Sequence, residues 1–120
     1  MKPTIDATDF GSITIAGERL DHDVLIRLSG EVTKRKKKLS KAVHGTSHKV
    51  SLAEAEYVYE QGAERLILGA GQDGMVRLSD EAAAYLVAKH VEVERAPTPE
   101  AVKRWNKAHG RVIGLFHVTC

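Results

Sequence analysis

Hydrophobic and polar positions divide the chain into short elements with clear ends. Arg65-Leu66-Ile67-Leu68 is an apolar run with a charged lead-in, and it breaks at once into Gly69-Ala70-Gly71-Gln72-Asp73-Gly74. That pattern predicts a central buried strand and the loop that leaves it. Val112-Ile113-Gly114-Leu115-Phe116-His117-Val118 is apolar on both faces, hence a strand covered on both sides. Val91-Glu92-Val93-Glu94-Arg95 alternates with period two, which predicts a strand nearer an edge with one solvated face. Helix signals fall between these runs. Ser51-Leu52-Ala53-Glu54 is a capping box, in which the Ser51 hydroxyl accepts from Glu54 N–H and the Glu54 carboxylate reaches back to Ser51 N–H. It opens a helix to Gln61, with Gly62 as the stop. Ser79-Asp80-Glu81 places an N-cap and two acids ahead of Ala82–Lys89, a stretch of strong helix formers. Thr98 as N-cap and Pro99 at the first helical position start a third helix, and Gly110 ends it.

From residue 51 the order is helix, strand, helix, strand, helix, strand. That alternation marks an α/β fold with a largely parallel sheet. Met75-Val76-Arg77-Leu78 is a short extended piece within it. Upstream, the first ten residues are polar and read as loop. Ser12-Ile13-Thr14-Ile15 and Asp23-Val24-Leu25-Ile26-Arg27-Leu28 read as the two strands of a hairpin, with a turn at Ala16-Gly17-Glu18. Residues 1–120 form a single domain on this reading. A chain of 120 residues buries roughly two-thirds of its unfolded surface, enough for one core.

Charge and cysteine usage narrow the function. A net charge of +2 gives no long-range field for a polyanion. The lone Cys120 excludes an internal disulfide and fits a reducing compartment. Met1–Asp6 reads as neither a secretory signal nor a transit peptide, and no apolar run approaches the about 20 residues of a membrane span, so the cytoplasm is the expected location.

Three constellations could carry chemistry. Gly69, Gly71 and Gly74 spell G-x-G-x-x-G, and Glu92 or Glu94 stands where a ribose-binding acid would. The Ser79 cap, however, starts the next helix too late to aim its dipole at the loop. No cofactor is therefore expected, and the loop reads as a tight turn or as the edge of a site for a small anion or a partner's backbone. The candidate ligand-binding residues are Thr46, Ser47, His48, Gly69, Gly71, Gln72 and Gly74, with the Gln72 amide offering both donor and acceptor. Lys34, Arg35, Lys36, Lys37, Lys38 and Lys41 put six positive charges into eight residues. No aromatic lies between Phe10 and Tyr57, so no stacking platform accompanies them, and a contact patch is favoured over nucleic acid. His44 and His48 would pair on a helix, but Gly45-Thr46-Ser47 disfavours one. His117 and Cys120 fall on opposite faces of a strand. No metal ligand or catalytic residue is assigned.

Several stretches together carry a resemblance: Phe10-Gly11-Ser12-Ile13, Asp21-His22-Asp23-Val24, Lys34-Arg35-Lys36, Leu39-Ser40-Lys41, Gly45-Thr46-Ser47-His48, Gly71-Gln72-Asp73-Gly74, Pro97-Thr98-Pro99-Glu100-Ala101 and His117-Val118-Thr119-Cys120. In order and over nearly the whole chain, they resemble the domain-of-unknown-function family that contains the adipogenesis-associated domain protein and mitochondrial respiratory complex I assembly factor three. The resemblance implies a three-layer α/β domain: a central mixed sheet of about five strands, helices on both faces and a small extra β-hairpin element. It implies a last strand opposed to its neighbours, whereas the alternation of elements makes that strand parallel. It implies no established enzyme activity and a protein-contact role for the mitochondrial member. The expected function is non-enzymatic protein contact of an assembly-factor kind. The alternatives are a small-molecule or anion pocket at 69–74, or nucleic-acid contact through 34–41.

Overall fold

The computed structural model describes residues 1–120. Its elements are β1 (Ile5–Asp9), β2 (Ser12–Ile15), β3 (Glu18–Leu20), β4 (Val24–Ile26), β5 (Val32–Lys34), α1 (Lys38–His44), β6 (Lys49–Val50), α2 (Leu52–Val58), β7 (Arg65–Ala70), β8 (Arg77–Leu78), α3 (Asp80–Ala88), β9 (Glu92–Ala96), α4 (Thr98–Lys107) and β10 (Val112–His117). Five strands make the main sheet, in the order β5-β4-β10-β7-β9. The two apolar runs lie side by side at its centre because every residue from Val112 to His117, and from Leu66 to Ala70, is buried. β7 runs parallel to both β10 and β9, while β4 runs against β10 and β5 against β4. The sheet is therefore mixed. The last strand opposes only β4, which corrects the expectation that it opposes its neighbours generally. Phe116 pairs with Gly69 and His117 with Ala70, so the end of β10 and the glycine loop share one sheet edge.

Period-two alternation sends side chains to two cores. Leu66 and Leu68 point, with Leu25, Ile113 and Leu115, toward Val58 of α2 and Leu86 of α3. Ile67, Val24, Ile26 and Phe116 face Ala101, Val102 and Trp105 of α4 on the other side. β1, β2 and β3 form a separate antiparallel sheet whose Ile5, Ile13 and Ile15 close this second core. Trp105 is fully buried there, and its indole N–H donates to Pro3 O at 2.8 Å. No helix is long and apolar enough to cross a membrane.

Four local expectations change. Residues 5–9 are a strand, not loop, because they pair with β2. Ser12–Ile15 does not pair with the strand at 24–26; it pairs with β1 and β3, and β4 joins the main sheet. α2 stops at Val58, where Arg27 Nη1 donates to Tyr57 O at 2.9 Å and Val58 O at 3.3 Å, satisfying end carbonyls that would otherwise need another turn. Thr98 opens α4 but does not cap it: its hydroxyl donates to His117 O at 2.6 Å and accepts Gly71 N–H at 2.9 Å. The Ser79 cap is as expected, accepting Ala82 N–H at 3.1 Å.

Candidate functional site

The polar edge of the sheet is organised by a buried arginine. Arg35 follows β5, and its guanidinium donates to Glu54 Oε2 at 2.6 Å, Glu54 Oε1 at 3.0 Å, Asp23 Oδ2 at 3.0 Å and Ser47 O at 2.8 Å. Ser40 Oγ of α1 donates to the same Glu54 carboxylate and accepts Ser51 N–H at 2.9 Å. Half of the capping box thus holds, since Ser51 Oγ accepts Glu54 N–H at 3.1 Å. The other half does not, because Glu54 turns inward to Arg35. Arg35 is 4% exposed, so it is not available to the contact patch expected of residues 34–41, whereas Lys34, Lys36, Lys38 and Lys41 are exposed. The guanidinium is held more strongly protonated than usual: burial opposes the charge, but Glu54 and Asp23 outweigh it.

Asp23 joins this network to β10. Its Oδ1 accepts Val118 N–H at 2.9 Å, and its Oδ2 lies 2.7 Å from His117 Nδ1. His117 Nε2 lies 3.1 Å from Thr119 Oγ1, and the His48 ring meets the His117 ring edge-on at 5.5 Å. A carboxylate, an imidazole and a hydroxyl in line are the parts of a nucleophile relay. Here Asp23 Oδ2 is shared between His117 Nδ1 and Arg35 Nη1. The arrangement ties the start of β4 to residues 117–119. Burial pushes the Asp23 pKa up, yet the His117 hydrogen bond and charge, Val118 N–H and Arg35 bring it from 3.8 down to about 2. A lowered native pKa means stability that is present above the unfolded value and lost as pH falls through about 2. Asp23→Asn should therefore be less stable than wild type at pH 7, with that gap shrinking by roughly 2 kcal/mol on acidification toward pH 2. Urea unfolding across that range checks it; a gap independent of pH refutes it.

The glycine loop is filled by the chain itself. Gln72 N–H donates to Thr119 O at 2.7 Å, and the N–H groups of Asp73 and Met75 donate to the Cys120 main-chain oxygen at 3.1 and 3.2 Å. The Gln72 side-chain amide donates to Thr8 Oγ1 and Asp9 O, both at 3.2 Å, and so ties the loop to the end of β1. Gly69 is packed by Phe116 and Thr98. Of the candidate ligand residues, Ser47 is buried with its carbonyl on Arg35, and Gly69, Gly71 and Gln72 are engaged internally. Thr46, His48 and Gly74 instead line a cleft of about 330 Å³ together with Lys49, Met75, Arg77 and Arg95. Lys34, Lys36, Lys37, Lys38 and Lys41, together with the buried Arg35, line an open groove of about 540 Å³. Sequence reasoning gave Asp23 no role, gave Glu54 only a capping role and set His117 aside with Cys120. A polar residue beside or within an apolar run was the available signal, because such a group needs a buried partner.

The fold and this edge define a three-layer α/β domain with a mixed five-stranded sheet. The chain belongs to the family described as "Protein of unknown function (DUF498/DUF598)", which matches residues 5–117. It is 35% identical to the conserved hypothetical protein PH1505 from Pyrococcus horikoshii OT3, with a TM-score of 0.88, over 98% of this chain and 99% of that one. It is 32% identical to a protein described as MT938, with a TM-score of 0.83, over 99% and 100% of the two chains. A Bordetella pertussis protein described as a Mth938-like domain shares the fold at 20% identity and a TM-score of 0.63, over 97% of this chain and 85% of that one.

Proposed function

We propose that the protein is a non-enzymatic contact domain that docks an acidic surface of a partner protein on the lysine groove. The observation that carries this reading is that Lys34, Lys36, Lys37, Lys38 and Lys41 line one groove and none of them forms an ion pair. The buried Arg35 network fixes the backbone beneath them, so the charges are presented by a rigid base. Lysines are hydrated point charges on flexible stems, suited to a broad acidic surface more than to a forked, bidentate contact. Nucleic acid is the weaker reading. Tyr57, the nearby aromatic, already carries Lys36 Nζ at 4.6 Å and Arg27 Cζ at 4.7 Å from its ring centre, so it is not free to stack on a base.

The test is anisotropy of a fluorescein-labelled, glutamate-rich peptide with wild type and a Lys36→Glu/Lys38→Glu/Lys41→Glu variant. Reversal of three charges should weaken binding by about tenfold or more, and the wild-type affinity should fall with added salt. Equal affinity for the two proteins rules the groove out.

A further inference from the structure

The cleft beside the glycine loop is chemically distinct from the lysine groove and shares no residue with it. Its lining contains four basic side chains, His48, Lys49, Arg77 and Arg95, and no acid. Lys49 and Arg77 are register partners on the parallel pair β6 and β8, so two like charges stand side by side. Neither forms an ion pair. Like charges on adjacent strands are destabilising. A fold that keeps such a pair without a carboxylate beside it gains from a mobile anion placed between them.

The remaining lining groups are held in place by internal contacts. Arg95 Nε donates to Val76 O at 2.7 Å and Nη2 to Gly74 O at 2.6 Å. Those two bonds fix the guanidinium plane and leave Nη1 unengaged. Thr46 Oγ1 accepts His48 N–H at 3.1 Å, which leaves its own proton to donate. The His48 ring is braced edge-on by buried His117. Gly74 adds no side chain to the wall, and Met75, 54% exposed, supplies one apolar contact. The cleft lies beyond the carboxyl ends of the parallel strands β7 and β9, the region where α/β sheets seat ligands.

We infer that this cleft binds a compact ligand carrying a phosphate dianion, with its small uncharged part against Met75. Two negative charges offset most of the local positive charge. The three terminal oxygens of a phosphate diverge tetrahedrally and can accept from Arg77, Arg95, Lys49 and the Thr46 hydroxyl on different sides, whereas a carboxylate carries one charge and its two oxygens lie in one plane. The cleft volume of about 330 Å³ holds a phosphate and a small organic group, but not a dinucleotide.

The experiment is a ¹H–¹⁵N NMR titration of the full chain with phenyl phosphate, inorganic phosphate and succinate at constant ionic strength. Saturable shifts are expected at His48, Lys49, Gly74 and Arg77 with both phosphates, and weaker ones with succinate. Arg77→Gln should weaken the phosphate affinity about tenfold, while in phosphate-free buffer its Tm should equal or exceed that of wild type because the Lys49 repulsion is gone. The triple lysine reversal should bind phosphate as wild type does, which separates this site from the groove. Absence of saturation, shifts confined to residues 34–41, succinate as tight as phosphate, or an unchanged affinity in Arg77→Gln would each overturn the inference.

Discussion

Arg35→Met should lower the unfolding free energy by about 3–5 kcal/mol, the cost of stranding buried charges. That is a large share of the about 5–15 kcal/mol that holds a domain of this size. The argument is one of partners. Arg35 is the cationic partner of both Asp23 and Glu54, whose side chains are 3% and 1% exposed. Methionine fills a comparable volume but leaves two buried carboxylates without their shared cation, and Ser47 O loses its donor. Arg35→Lys should fall between, keeping the charge but not the fork that meets Glu54 with two bonds. Combining Arg35→Met with Asp23→Asn and Glu54→Gln should recover part of the loss, because the stranded charges go with the arginine. Urea denaturation of the three variants decides. An exposed member of a contact patch would cost less than about 0.5 kcal/mol, and a value that small for Arg35→Met would show the network to be irrelevant to stability.

Arg35 also shows what local sequence can and cannot reveal. It stands within a run of lysines, and nothing in its neighbours separates it from Lys34 or Lys36. Its burial follows from the turn after β5, which aims position 35 inward at groups that α2 and the start of β4 bring from elsewhere. Glu54 is the converse case. Its place in the capping box was readable, but the guanidinium is a stronger partner than Ser51 N–H, and tertiary contact took precedence over the local motif. Elements with a full repeat of pattern were legible: the two-sided apolar run of β10, the alternation of β9 and the Ser79 cap. β1 was not, since Ile5 is its one large apolar residue. The cleft was partly legible. Thr46, His48 and Gly74 are in it, while Lys49, Arg77 and Arg95 come from three separate strands and meet only through the topology.

The G-x-G-x-x-G pattern yields the second large effect. Gly71→Ala should cost about 4–6 kcal/mol, summing a backbone strain of about 1–3 kcal/mol and three weakened hydrogen bonds of about 1 kcal/mol each. Gly71 has φ +97°, and a Cβ there would run into the Cys120 main chain and stand 2.8 Å from His117 Cδ2. The three donors that hold residues 119–120, the N–H groups of Gln72, Asp73 and Met75, would be pulled off line together. Gly74→Ala is the matched control. Its φ is +70°, but the added Cβ meets only Pro97 Cγ at 3.6 Å, so it should show the backbone term alone, about 1–2 kcal/mol. Close approach of a pyrophosphate is the usual reason for glycine in this pattern. Here the close approach is made by the chain's own last residues, so the cost appears in the protein without any ligand. Urea unfolding gives the two free energies, and hydrogen exchange at Gln72, Asp73 and Met75 gives the mechanism: these amides should exchange faster in Gly71→Ala and stay protected in Gly74→Ala. Equal costs for the two variants, with unchanged protection, would show that residues 119–120 are not seated by the glycine at 71.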